Sequence, residues 1–287
     1  MDQREQTIPA VEFRDVSFSF DDEKVLDRLS FKVMKGEIKI ILSGSGGGKT
    51  TILKLILGLL KPDEGQVLID GEDITNYDES QLKPIRDKIG MVFQEDGLFD
   101  SLSVYDNVAY RLHEEGVPEQ DAEREVRLLL RFVDLENEME KLPNELSGGM
   151  QKRVGVARAL VGNPKVILFD EPTAALDPPT AATVSSLIIR LRDLENVASI
   201  LVTHEMDTVK YITTAYTEVS ERGEVILQEE GDKFCLSNTK ILMLREGCVI
   251  FSGTNEEFVQ SEDPFIRKFI SGTEMEPVQT GLPKRES

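Results

Sequence analysis

Eight residues, Ser43 to Thr50 (SGSGGGKT), stand between an apolar run, Ile38 to Leu42, and a helix-like stretch, Thr51 to Leu60. Strand, glycine loop and helix in that order form the context of a phosphate-binding loop, which belongs to an α/β fold. Gly44, Gly46, Gly47 and Gly48 carry no Cβ, so the backbone can curl and aim its N–H groups at phosphate oxygens. The start of the following helix adds positive partial charge. Lys49 is placed to reach the β- and γ-phosphates, and Thr50 offers a hydroxyl to Mg2+, a hard cation that takes oxygen ligands. In the strict pattern G-x-x-x-x-G-K-[ST] the first position falls on Ser43, so the leading glycine is missing and Gly44 is expected to supply its flexibility.

A second apolar run, Val166 to Phe169, is short enough for a strand buried on both faces and ends in Asp170, Glu171 and Pro172. Carboxylates at the tip of such a strand suit a site rather than a surface turn when a glycine loop accompanies them. Asp170 is expected to hold Mg2+ through water, and Glu171 to polarise the water that attacks the γ-phosphate.

With these elements in place the chain resembles the ATP-binding subunits of ABC transporters over nearly its whole length, in the family's order. Phe20, ending a strand pattern of Val11, Phe13, Val16 and Phe18, matches the aromatic that stacks on adenine. Gln94 matches the glutamine that contacts Mg2+ and the attacking water, Ser147, Gly148 and Gly149 the family signature, and Ala175 to Asp177 the loop that crosses the dimer interface. His204, after the apolar run Ser199 to Val202, matches the switch histidine. The resemblance implies a P-loop, RecA-like α/β core with an antiparallel β subdomain and an inserted helical signature subdomain. It also implies a nucleotide-binding set of Phe20, Ser43, Gly44, Ser45, Gly46, Gly47, Gly48, Lys49, Thr50, Thr51, Ser147, Gly148, Gly149 and Asp177. Glu171, His204, Gln94 and Lys49 are the implied catalytic groups, and Thr50, Gln94 and Asp170 the implied Mg2+ ligands.

The signature has a physical logic of its own. Ser147 and its glycines lead a segment whose apolar residues Met150, Val154, Ala157 and Val161 fall near one helical face, so a helix N-terminus with a hydroxyl and bare amides is presented. Such an end attracts anions, although a serine N-cap is also ordinary. By resemblance it would meet the γ-phosphate bound by Lys49 of a second copy, making ATP the glue of a head-to-tail pair. The only other histidine, His113, lies in a polar stretch and reads as exposed or structural.

Composition sets limits. Lysine and arginine total 33 against 53 acidic residues, a net charge of −20, which opposes general binding to nucleic acid or an anionic bilayer. No apolar run approaches the ~20 residues of a membrane span, and Met1 to Ala10 lacks a signal peptide's apolar core. Cys235 and Cys248 show no metal spacing and suit a reducing cytosol. The expected location is the cytoplasmic face of the inner (plasma) membrane, held there through permease subunits.

Residues 10–260 are expected to form one ATPase domain with a helical subdomain inserted at about 95–162, followed by a C-terminal helix and tail over 261–287. Gly97 to Leu112, just after Gln94, resembles the matching stretch of the Mla and mammalian-cell-entry (MCE) lipid-transport ATPases, as do Ser147 to Arg153 and Asp263 to Gly272. The implied cargo is phospholipid or another envelope lipid, and the implied partners are a permease, an MCE protein and a small cytoplasmic regulatory subunit. In the tail, Asp263 can cap and Pro264 can open a helix whose Phe265, Ile266, Phe269 and Ile270 make one apolar face. Ala215 to Phe234 is an addition to the family pattern, and reads as a surface hairpin. Two other functions stay open: an ABC transporter ATPase for another solute, and a soluble ABC ATPase acting on nucleic acid or ribosomes, which the acidity disfavours.

Overall fold

The computed structural model describes residues 8–21, 23–44, 46–95, 97–195, 197–219, 225–229 and 238–271. Strands β1 (Val11–Phe20) and β2 (Glu23–Val33) pair antiparallel. The chain then enters the centre of the molecule as β3 (Ile38–Ser43) and leaves it through α1 (Lys49–Ile56). It returns to the first layer as β4 (Glu64–Ile69) and β5 (Glu72–Asp73), giving a sheet of order β2-β1-β4-β5. Helix α1 is shorter than the apolar stretch suggests. It stops at Ile56 because Gly58 takes a left-handed φ of +64°, a conformation glycine adopts without a Cβ clash and one that commonly ends helices.

After α2 (Glu79–Arg86) the chain forms β6 (Ile89–Val92), then three helices: α3 (Val104–Glu114), α4 (Glu119–Phe132) and α5 (Gly148–Leu160). It re-enters the core as β7 (Val166–Asp170), α6 (Pro178–Leu194), β8 (Ala198–Thr203) and α7 (Met206–Thr214). A short hairpin, β9 (Ala215–Val219) and β10 (Val225–Glu229), precedes β11 (Thr239–Arg245), β12 (Cys248–Gly253), α8 (Asn255–Val259) and α9 (Pro264–Ile270).

The six-stranded sheet runs β12-β11-β3-β8-β7-β6, parallel from β11 to β6 and antiparallel only at the β11/β12 edge. Every residue of β3, β7 and β8 is buried, the property that near-continuous apolar runs predict for strands covered on both faces. The pleat divides β3 between two cores. Ile38, Ile40 and Leu42 pack with α3 to α7, while Ile41 packs with β1, β2, β4 and α1. Register then places the site. Leu42 pairs with Thr203, Val202 with Asp170 and Phe169 with Val92, so the segments following β3, β8, β7 and β6 all emerge along one edge. Open α/β sheets bind ligands outside the carboxyl ends of their parallel strands.

Arg192 and Asp193 at the end of α6 anchor the hairpin's root: Arg192 Nη2 donates to Ala215 O (2.9 Å) and Thr217 N donates to Asp193 Oδ2 (2.8 Å). Residues 220–224 and 230–234 of the added segment lie outside the described residues, as do 235–237, with Cys235, and the tail beyond Ser271. Asp263 caps α9 by accepting from Phe265 N and Ile266 N, and Ile266 and Phe269 are buried while Phe265 and Ile270 are half-buried. Among the described residues no helix is long and apolar enough to cross a membrane.

Candidate active site

Glycine is required in the loop for identifiable reasons. Gly46 and Gly48 take φ of +75° and +84°, the left-handed region that side chains resist. A Cβ on Gly48 would also lie 2.8 Å from Leu26 Cδ2. Ser43 is accommodated by Gly47: a Cβ there would sit 2.5 Å from Ser43 Oγ, so the glycine leaves the space that the serine side chain occupies. Ser43 itself is the last residue of β3, fully buried, and donates from Oγ to Gly44 O at 3.2 Å. Its position needs no positive φ, which is why a non-glycine residue is tolerated there. Ser45 lies outside the described residues.

Lys49 Nζ donates to Ser43 O (3.0 Å) and Gly44 O (3.3 Å) and stands 3.5 Å from Glu171 Oε1. The ammonium is thus held inside the curl of its own loop, against a buried carboxylate. Thr50 Oγ1 donates to Asp170 Oδ2 at 3.4 Å. Gly46 to Thr51, with Phe20, Glu23 and Val25, line an open cleft of about 340 Å³. Phe20 is half-exposed at its mouth, held edge-on by Phe18 with ring centroids 4.8 Å apart.

Asp170 and Glu171 are both buried, so their environments matter. Burial pushes the Asp170 carboxyl above the usual carboxylate range; the Thr50 hydroxyl opposes that, Glu171 adds to it, and Lys49 opposes it again. Glu171 adopts φ of +46°, an unusual backbone for a non-glycine residue and a form of strain found at functional sites. Its N–H donates to Val202 O at 3.0 Å, while its carboxylate accepts from His204 N (3.3 Å) and lies 2.9 Å from His204 Nδ1. The ring of His204 is 59% exposed and reaches out from the end of β8.

A raised carboxyl pKa has a testable consequence for stability. Below the unfolded-state value of about 3.9 the neutral Asp170 is free of penalty; as pH rises through the higher folded value, holding it ionised destabilises the folded chain. Asp170→Asn is therefore expected to raise the melting temperature of nucleotide-free protein at pH 7, with the gap closing toward acid. A thermal scan series across pH checks this; a lower melting temperature at pH 7 would contradict it.

The arrangement fits a nucleotide with Mg2+. Positive-φ glycines curl the loop along an open cleft, and a hydroxyl and a carboxylate within 3.4 Å of each other are the oxygen donors that Mg2+ takes alongside water and phosphate.

Other expected residues are not gathered at the loop. Ser147 caps α5 by accepting from Met150 N (3.3 Å), Gly148 lies beside Leu176, and a Cβ on Gly149 would meet Thr180 Cγ2 at 2.1 Å. Among the described residues no hydrogen bond joins Ser147 to the glycine loop. Asp177 caps α6, taking the Thr180 hydroxyl at 2.7 Å and Thr180 N at 3.2 Å, and the hydroxyl's hydrogen bond holds its carboxyl below the usual range. The side chain of Gln94 is exposed.

Lys152 is a participant that sequence reasoning passes over. Only 3% exposed on α5, it donates to the carbonyls of Phe93 (3.2 Å) and Gln94, so the signature helix grips the segment that carries Gln94. A lysine is seldom buried without partners. Its position on the buried side of α5 follows from tertiary packing, and nothing in the local pattern marks it. The segment is pinned further on as well: Asn107, fully buried, accepts from Phe99 N and donates to the carbonyls of Phe99, Leu102 and Ser103.

The ABC transporter family matches the chain over residues 26–174. The intermembrane phospholipid transport system ATP-binding protein MlaF of Haemophilus influenzae is 34% identical over 277 residues, 96% of both chains. The methionine import ATP-binding protein MetN of Corynebacterium jeikeium is 40% identical over 220 residues, 75% of this chain and 60% of its own, so the chain spans less than two thirds of that relative. Among solved structures, cbiO1 of Clostridium perfringens, part of the ABC transporter complex cbiONQ, superposes with a TM-score of 0.73 at 28% identity, covering 91% of this chain and 94% of that one. A dimeric post-hydrolysis state of the ATP-binding cassette MJ0796 with ADP and Pi gives 0.69 at 29% identity, covering 85% and 98%. A glycine cradle, its lysine and threonine, and the buried carboxylate pair thus occur in a chain whose fold matches these solved cassettes. The chain belongs to the ABC transporter family, among its ATP- and Mg2+-dependent ATPases.

Proposed function

We propose that this ATPase pairs head to tail with a second copy and drives a membrane permease that moves phospholipid or another envelope lipid. The observation that carries the lipid reading is colinearity. Similarity to the phospholipid-transport protein runs through 96% of both chains, whereas the methionine importer shares a shorter stretch at higher identity. An amino-acid permease is the second reading, favoured by that 40% figure. An MCE protein and a small regulatory subunit complete the assembly in the first reading.

The chemistry uses the residues as they stand. Loop amides and Lys49 bind phosphate, Phe20 stacks on the base, and Thr50, Asp170 and Gln94 hold Mg2+. When bound, that ion neutralises phosphate charge. Glu171 takes the proton of the attacking water, and His204, fixed on Glu171 Oε1, orients the reaction. Lys49 rests 3.5 Å from the same oxygen, so its transfer to phosphate frees Glu171 to act as base. Ser147, Gly148 and Gly149 serve the nucleotide of the partner copy; in its own chain the Ser147 hydroxyl is taken up as the cap of α5.

The test is native purification of tagged Glu171→Gln protein from membranes with ATP and Mg2+, followed by mass spectrometry of co-purifying subunits and lipids. A permease with an MCE protein and bound phospholipid supports the lipid reading. An amino-acid permease keeps the ATPase and overturns the cargo. Recovery only with nucleic acid or ribosomes overturns transport itself.

A further inference from the structure

Glu205 has no place in the chemistry above, yet its carboxylate is committed. It occupies the N-cap position of α7 without making a side-chain capping bond. Its Oε2 instead accepts from Thr173 Oγ1 at 2.6 Å and from Thr208 Oγ1 at 3.2 Å, and the two hydroxyls are 2.8 Å apart. Thr173 and Thr208 are 1% and 5% exposed. Glu205 N also donates to Thr203 Oγ1 (3.1 Å), tying the same residue to the end of β8.

This closed triangle joins two separate segments. Thr173 stands two residues beyond Glu171, and Glu205 follows His204. The ring of His204 is mostly solvent-exposed, so packing does not hold it, and its place depends on the backbone that carries it. Hydrogen bonds to a carboxylate are among the stronger ones available for that purpose, and both donor hydroxyls here are buried.

We propose that Glu205 is a positioning residue: by clamping the His204 turn onto the 171–173 segment through Thr173 and Thr208, it keeps His204 Nδ1 on Glu171 Oε1. The proposal rests on the assigned roles of Glu171 and His204. Loss of the clamp lets the turn drift, and small misplacements in a reacting constellation lower turnover more than binding.

Full-length Glu205→Ala, Glu205→Gln, His204→Ala and the double variant Glu205→Ala/His204→Ala are compared for kcat, ATP affinity and amide exchange. Glu205→Ala is expected to lower kcat about tenfold with ATP affinity within about twofold. Glu205→Gln, which keeps an acceptor oxygen, restores about half or more of the rate, and Glu205→Ala adds nothing to His204→Ala. The His204 amide, bonded to Glu171 Oε2, exchanges faster in Glu205→Ala. Equal rate losses in both backgrounds, a Gln variant as slow as Ala, or unchanged His204 exchange would each overturn the clamp. If His204→Ala keeps full activity while exchange at His204 still quickens in Glu205→Ala, the role of the histidine fails and the clamp stands.

Discussion

Glu171→Gln protein is expected to bind ATP with Mg2+, dimerise, and hydrolyse at least about 100-fold more slowly than the wild type, the usual contribution of a positioned general base. The substitution is nearly isosteric. A glutamine oxygen can still accept from His204 N, and the backbone tie from residue 171 N to Val202 O is untouched, so the strained turn keeps its shape. What disappears is a carboxylate able to take a proton. In the same step Lys49 loses its anionic neighbour at 3.5 Å, which removes a competitor for the ammonium and favours its move to phosphate. Binding therefore holds while turnover collapses, and the dimer accumulates. Size-exclusion chromatography with and without ATP, beside a phosphate-release assay, reads both effects. A Gln variant that stays monomeric and active would falsify the assignment of Glu171 as base.

Lys49→Ala is expected to act at the opposite end of the cycle, weakening ATP binding by about 100-fold or more. Charge-assisted hydrogen bonds to phosphate contribute roughly 1.5–3 kcal/mol each, and ~1.4 kcal/mol is a factor of ten in affinity. The variant also strands Glu171, 5% exposed, without the cation beside it, a costly arrangement for a buried carboxylate. Nucleotide-free protein should consequently lose thermal stability along with affinity. Calorimetric titration with the non-hydrolysable analogue and a melting scan check the two halves of the expectation. Affinity within a few-fold of wild type would show that the loop amides alone suffice.

Much of this site is legible in the sequence because its residues are sequence-local. Loop, lysine and threonine follow one strand, Asp170 and Glu171 close another, and His204 follows a third; short, largely apolar parallel strands mark where each stops. Other features depend on packing between distant segments. Ser43 reads as a defect in a pattern until Gly47 is seen to leave room for it. The early end of α1 hangs on the left-handed turn at Gly58, inside a stretch whose apolar residues continue to Leu60. Lys152 and Glu205 look like ordinary helix-surface residues in sequence, and only the fold brings them to Gln94 and Thr173. Asp177 has a local role that the family pattern does not display, since its carboxylate caps α6.

The proposed pairing, in which Ser147 serves a nucleotide other than the one held by its own glycine loop, has a genetic corollary. If each chain lends its signature to the nucleotide held by another copy, a Lys49→Ala chain still carries a sound signature, and a Ser147-altered chain still carries a sound loop. Co-expressed, the two would assemble mixed pairs containing one intact composite site and one doubly damaged site. Intragenic complementation between alleles that are individually dead would then arise from the way one polypeptide divides a single reaction centre between two of its own surfaces.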